Sequence, residues 1–446
     1  MNAMRGREDK GSRSLEGFPE RARMRLRRGP VAHVWRSMLH RLPKVDLHRH
    51  LEGSLRLSTL MEIARRHSIP LELHLGTAEL EPLIRFTVSE AADFHRFLAR
   101  FRLLRLFYTS EEAIRRMAYE AVADAALDHV RYLELRFNPA ALAQAQGFQL
   151  EEVIEWVLEG VEQAPHEFDI QVRMILTIVR GEDPELAWQI ARLAVAYRSR
   201  GVVALDLAGD ELQASARDLV PIFRWAREQG LFLTVHAGEV GPPANIRHAI
   251  LIMGAHRIGH GIQAIHDVEV LRLLHERNIP LEICPTSNLQ TGAVAGFHYH
   301  PLPDLYRLGL KVTLNTDDPS ISDTTLTDEI SIRYGRYGFA VEGPVADPGE
   351  RCGGGFSRPG GASGPGPTPP EGNPEYRAEL APGGREVNPG FWGLGLAPFG
   401  LHVGDHGFQG QAVSGSPRGD PLAPSLNRTG RWGYALAGIM VVGRAM

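Results

Sequence analysis

The sequence predicts an α/β protein, a (β/α)8 TIM-type barrel, on three observations. Across residues 41–335, short β-branched or Leu-rich runs alternate with longer stretches whose apolar residues recur at spacings of three and four. The runs number eight. Strands separated by helices pair in parallel through right-handed crossovers, and eight such strands close a barrel. Ionisable residues also gather just after several of the runs, where C-terminal strand ends open into a barrel mouth.

In chain order, residues 1–40 come first, Arg-rich and without a clear apolar period, and they read as a disordered basic leader. Met24 and Met38 are both possible starts. The eight runs then fall at Lys44–Leu47, Val130–Phe137, Ile170–Ile178, Val202–Leu207, Leu231–His236, Arg257–His260, Pro280–Cys284 and Lys311–Asn315. Leu150–Glu162, Glu185–Arg198 and Asp218–Gln229 have helical spacing. About 80 residues separate the first two runs, too many for a bare loop, and they read as extra helices over the barrel mouth. A last helix begins at Thr324–Arg333 and is broken by Gly335, Gly338 and Gly343-Pro344. From 343 to 446, 39 of 104 residues are Gly or Pro, against about 12% in ordinary chains. Residues 336–446 therefore read as a low-order tail.

Bulk properties narrow the function. Of the 446 residues, 43% are hydrophobic and 23% charged, enough to bury a full core. A net charge of −4 gives no reason to expect nucleic acid or an anionic membrane as partner. Cys284 and Cys352 are the two cysteines; they exclude a disulfide scaffold and a cysteine zinc cage, and they fit the reducing cytoplasm. No apolar run approaches the roughly 18 residues of a membrane span. The sequence leaves the oligomeric state open.

The chemistry lies at the strand ends. Asp46-Leu47-His48-Arg49-His50-Leu51-Glu52-Gly53 ends the first run, and alternation points His48 and His50 the same way. His236-Ala237-Gly238-Glu239, Arg257-Ile258-Gly259-His260-Gly261 and Asn315-Thr316-Asp317-Asp318-Pro319 end three other runs. Buried His and Asp are costly unless paired or ligating. Three histidines and one carboxylate suit Zn²⁺ with an open position for water, whose pKa the metal lowers toward neutrality. No lysine follows Leu205-Asp206-Leu207-Ala208-Gly209-Asp210-Glu211 to bridge a second ion, so one metal per chain is expected. Gly209 lets a flat ligand approach the backbone closely.

These motifs resemble the adenosine deaminase family of metal-dependent hydrolases, over about residues 41–330. The resemblance implies that His48, His50, His236 and Asp317 ligate zinc, with His50 also lining the substrate pocket. It further implies that Glu239 protonates purine N1 and that His260 orients the attacking hydroxide. Asp318 would hydrogen-bond N7 and the Gly209 amide would face N3. Glu52 matches the family's contact to a ribose hydroxyl, and Phe97 and Phe101 match its apolar lid. The run Cys284-Pro285-Thr286-Ser287-Asn288-Leu289-Gln290-Thr291-Gly292 is similar to bacterial adenosine deaminases. The implied partner is a small-molecule purine nucleoside, and the implied reaction converts adenosine and 2′-deoxyadenosine to their inosine forms with release of ammonia. The HxE and PCxxC zinc signature of cytidine deaminases is absent.

The resemblance stops near Glu329-Ile330, and the residues beyond it read like a shifted frame. A barrel without its closing helix would bare several hundred Å² at the strand 8 to strand 1 seam, a loss on the order of 5–10 kcal/mol. Two alternatives therefore stand beside the main reading: deamination of adenine or an N6-substituted purine, and an inactive or poorly folding product of a disrupted gene.

Overall fold

A computed structural model of the chain describes residues 30–67, 69, 77–86, 90–213 and 215–337. Eight parallel strands form one sheet in sequence order. They are β1 (Lys44–His50), β2 (Val130–Phe137), β3 (Gln171–Val179), β4 (Val202–Ala208), β5 (Phe232–Ala237), β6 (Arg257–His260), β7 (Leu281–Ile283) and β8 (Val312–Leu314). β1 extends through His50, past the expected end at Leu47, so the whole HxH pair lies on the strand. β7 starts one residue later than expected, because Pro280 has no N–H to give the ladder.

The sheet is closed at the β8–β1 seam by one bridge, Arg49 to Asp317. The His50 amide donates to Asp317 O at 2.9 Å, and the Asp317 amide donates to His48 O at 2.8 Å. Side chains complete the seam. The Leu47 amide donates to Asn315 Oδ1 at 2.9 Å, and Thr316 Oγ1 donates to Asp46 Oδ2 at 2.6 Å. The residues that shut the barrel thus include His48, His50 and Asp317, three of the residues the sequence offers as metal ligands.

The long stretch after β1 forms helices Leu57–His67, Thr77–Ile84, Phe94–Leu104 and Glu111–Leu127. The Phe86 amide donates to Ile321 O at 2.8 Å and the Asp93 amide to Gln290 O at 3.0 Å. These two bonds seat the start of Phe94–Leu104 against the loops after β7 and β8. Around the barrel, helices begin on side-chain caps. Asp183 accepts from the amides of Glu185 and Leu186, and Asp267 from those of Glu269 and Val270, satisfying N–H groups the helix leaves free.

Two expectations need correction. The 1–40 leader is structured at its end, since a helix spans Pro30–Arg41. Lys44, itself buried, places Nζ on the carbonyls of His40 and Leu42 at 2.9 and 3.0 Å, so a cation caps the carbonyl end of that helix. The last helix also runs beyond its expected break, from Leu326 through Gly335 to Tyr337. Leu326 and Ile330 are buried. Thr327 donates its amide to Asp128 at 2.9 Å, and Arg36 Nε donates to Asp328 at 2.9 Å. Glu329 accepts from the Thr286 amide at 3.1 Å and Thr324 Oγ1 at 2.8 Å. Tertiary partners outweigh a single helix glycine, which costs only about 1 kcal/mol. Residues 1–29 and the Gly/Pro-rich stretch after 337 lie outside the described residues. Among the described residues, no helix is long and apolar enough to cross a membrane.

Candidate active site

The strand ends deliver four donors to one point. Strand alternation sends His48 and His50 into the mouth from β1, and β5 brings His236. Asp317 comes after β8 with φ near +60°, and His260 ends β6 with φ near +59°. Side chains rarely hold that conformation, which costs about 1–3 kcal/mol each and is tolerated where surroundings fix it. His48 Nε2 and His50 Nε2 lie 3.2 and 3.4 Å from Asp317 Oδ1, and His50 Nε2 lies 3.2 Å from His236 Nε2. One ligand atom from each of His48, His50, His236 and Asp317 falls within 4.8 Å of the other three.

The far sides of two imidazoles decide what the near sides can do. His48 Nδ1 lies 2.8 Å from Glu282 Oε2, and His236 Nδ1 lies 3.1 Å from both Asp206 Oδ1 and Leu207 O. A carboxylate or carbonyl only accepts, so each Nδ1 carries a proton, and Nε2 is the atom each ring would turn toward a metal ion. His48 Nε2 is itself buried, with Asp317 Oδ1 as its polar neighbour at 3.2 Å. These two rings, a third imidazole and a carboxylate fit a divalent metal ion. A second trio, His260, Cys284 and Asp317, shares the aspartate. Burial pushes its thiol well above the usual range, so it offers a poorer ligand.

Below the ligands, Arg136 ties their supports together. Its Nη2 donates to Glu282 Oε2 at 2.8 Å and to Leu47 O at 2.7 Å, while Nη1 sits 3.4 Å from Asp206 Oδ1. Burial alone would raise the Glu282 carboxyl, but Arg257 and Arg136 hold it well below the carboxylate range. Burial is likewise outweighed at Asp206, where His236 and Arg136 keep the carboxylate ionised. Sequence reasoning gave Arg136, Glu282 and Asp206 no role. Their signal was there, as single charges inside otherwise apolar strand runs.

The remaining candidates surround the cluster. His260 Nε2 is 3.7 Å from Glu239 Oε2 and 3.8 Å from Asp317 Oδ2. Burial, then the charges of Asp317 and Glu211, push the Glu239 carboxyl well above the usual range. Burial keeps the rings of His50 and His260 neutral. Burial and the neighbouring Asp317, Glu52 and Glu239 raise Asp318 as well. Asp318 fits only because residue 53 is glycine: a Cβ there would lie 1.9 Å from Asp318 Oδ1. Glu52, raised to about 7 by burial, accepts the Asn138 amide at 2.8 Å through Oε1. Its Oε2 and Asp318 Oδ1 are buried without partners. The pocket therefore places two carboxyls whose protonated form is favoured, and the imidazole of His260, beside the four residues that could hold a metal ion.

Gly209 has φ near +93°, and a Cβ there would meet Val179 Cγ1 at 2.8 Å. Phe97 is buried on the helix over the mouth, its ring centroid 6.3 Å from those of Phe86 and Phe101. One further group was missed. Glu211 accepts the amides of Gly238, Glu239, Val240 and Gly241 at 2.7–2.9 Å and so fixes the turn that carries Glu239.

Residues 43–344 match the family model described as adenosine deaminase. An adenosine deaminase of Clostridium botulinum (strain 657 / Type Ba4) is 37% identical over 302 residues, 68% of this chain and 90% of that protein. The crystal structure of an Arabidopsis N6-mAMP deaminase is 32% identical with a TM-score of 0.62, covering 68% of this chain and 90% of its own. The structure of an adenine deaminase from Arthrobacter aurescens is 27% identical with a TM-score of 0.61, covering 67% of this chain and 89% of its own.

Proposed function

The chain belongs to the adenosine deaminase family, and we propose that it deaminates adenosine and 2′-deoxyadenosine hydrolytically to inosine and 2′-deoxyinosine. The observation that carries the reading is geometric: Glu239, His260 and Asp318 are buried around the cluster of His48, His50, His236 and Asp317, with His260 Nε2 3.7 Å from Glu239 Oε2 and 3.8 Å from Asp317 Oδ2. Purine N1 and N7 are both hydrogen-bond acceptors, so whatever faces them must donate. Burial and the neighbouring carboxylates raise both Glu239 and Asp318, which favours the protonated, donating form of each.

His48, His50, His236 and Asp317 would hold one zinc ion, the metal that three imidazoles and a carboxylate suit. Zinc bound there supplies the Lewis acidity that lets water act as a nucleophile near neutral pH. Asp318 donates to N7 and the Gly209 amide faces N3, which orients the ring. Glu239 gives its proton to N1 as water adds to C6, so that charge does not build on the ring. His260, neutral and beside Glu239, orients the incoming water. The C6 adduct then loses its amino group as ammonia, which takes one of the two protons of the water, while the other returns to Glu239 as the C6 carbonyl forms. Phe97 and Phe101 cover the base from the helix above.

Glu52 favours a nucleoside over the free base: its buried Oε2 has no donor, and a ribose hydroxyl supplies one. The similarity to adenine and N6-mAMP deaminases keeps free adenine or an N6-substituted purine as the second reading. No nucleic acid or membrane enters the proposal, and low cysteine content leads us to place it in the cytoplasm. Ammonia release from adenosine, 2′-deoxyadenosine, adenine and N6-methyl-AMP tests the assignment. The two nucleosides should be turned over fastest, and activity confined to the base or the nucleotide would reject them as substrates.

A further inference from the structure

We infer that Asn288 and His300 are positioning residues, which fix the imidazole of His260 with its proton on Nε2 and hold Glu239 beside it. The inference rests on the functional reading above and concerns the same site. It comes from tracing hydrogens along one buried chain. The Leu302 amide, which can only donate, gives its hydrogen to His300 Nδ1 at 3.1 Å. His300 is neutral, lowered to about 3 by burial, so its one ring proton sits on Nε2. That nitrogen lies 3.2 Å from Asn288 Oδ1 and donates to it, which settles which end of the amide is oxygen. Asn288 Nδ2 therefore faces His260 Nδ1, at 3.0 Å, as a donor. His260 Nδ1 accepts, and the ring proton of His260 is left on Nε2, the atom that points at Glu239 and Asp317.

An amide nitrogen has two hydrogens. The second is available to Glu239, whose carboxyl lies within hydrogen-bonding reach of the side chains of Asn288 and Thr291. One buried amide thus serves both the group assigned to give a proton and the group assigned to orient the water. It is well placed to stay fixed: Asn288 is fully buried, its own amide donates to Cys284 O at 2.9 Å, and its carbonyl accepts from the Val294 amide at 3.2 Å. The origin of the chain is a backbone N–H, which cannot change its role, so the orientation of His260 is set by the fold and not by the bound ligand.

Two sets of variants test this. In Asn288→Asp the donor becomes an acceptor, so His260 must move its proton to Nδ1 and present a bare Nε2 to the site. Expected is a fall in kcat of about 10²–10³-fold, the range for a misplaced proton-transfer group. KM, the dissociation constant of inosine and one zinc per chain should change less than about threefold. His300→Gln and His300→Leu both remove the acceptor for the Leu302 amide, but only glutamine keeps a donor toward Asn288. The glutamine variant should keep kcat within about tenfold of wild type, with the leucine variant at least tenfold lower. Near-normal kcat in Asn288→Asp at full zinc occupancy, or equal kcat in the two His300 variants, would overturn the inference. If Asn288→Asp does not fold, the His300 pair decides. Wild-type protein that deaminates no purine removes the functional reading and this inference together; an active wild type with unaffected variants removes the inference alone.

Discussion

Glu329 should make the barrel less stable above neutral pH, and Glu329→Gln should show it. This carboxyl lies on the last helix, is 1% exposed, and is raised by burial from 4.5 to about 7. Between those values the folded chain keeps a proton that the unfolded chain has lost, so stability falls as pH rises, and above pH 7 the whole penalty applies. At about 1.4 kcal/mol per pH unit it amounts to about 3 kcal/mol. Glutamine carries no charge at any pH, but its amide end cannot accept from both the Thr286 amide and Thr324 Oγ1, a loss of about 1 kcal/mol. The substitution should therefore stabilise by about 1–2 kcal/mol at pH 8 and destabilise by about 1 kcal/mol at pH 5. For a barrel of this size that is a melting temperature about 2–4 °C higher at pH 8 and about 2 °C lower at pH 5. Melting monitored by circular dichroism at both pH values, always against wild type, cancels the titration of every other group. An equal shift at the two pH values, or a lower melting temperature at pH 8, would show that the last helix is not docked through a buried Glu329, and that the seam stands open as the sequence alone implied.

Two further outcomes concern the site. Glu239→Gln keeps the shape but has no acidic proton, so zinc content should stay at one per chain while kcat falls about 10²–10⁴-fold; near-normal turnover would remove Glu239 from the reaction. Asp206→Asn replaces the carboxylate 3.1 Å from His236 Nδ1 and should weaken zinc about 10–100-fold in a chelator competition, whereas unchanged affinity would mean that Leu207 O suffices to orient the ring.

Much of this was legible in the chain itself. A period of two or of three to four residues is local, so β2 and β6 could be placed to the residue. The HxH pair, His236, Glu239, His260 and Asp317-Asp318 stood out because each breaks an apolar run at the end where a parallel barrel opens. Composition shifts misled at both margins. The Arg-rich start conceals the helix Pro30–Arg41, and Gly335 seemed to end a helix that continues to Tyr337. Both helices depend on distant partners, Arg36 on Asp328, Thr327 on Asp128 and Glu329 on Thr286, which local composition does not register.

What the sequence determined by itself was the inventory: eight strands, and which side chains stand at their C-terminal ends. Only the closed barrel decided how those side chains are held. Glu282 meets His48, Asp206 meets His236, and Arg136 joins the two carboxylates because interior positions on different strands fall at one height when the sheet curls shut. His300 reaches His260 through Asn288 because the segments after β7 fold back over the end of β6. Periodicity fixes the face a residue points to, but which residues share a layer is set by strand register and by the tilt that closure imposes, and neither is a property of any one segment.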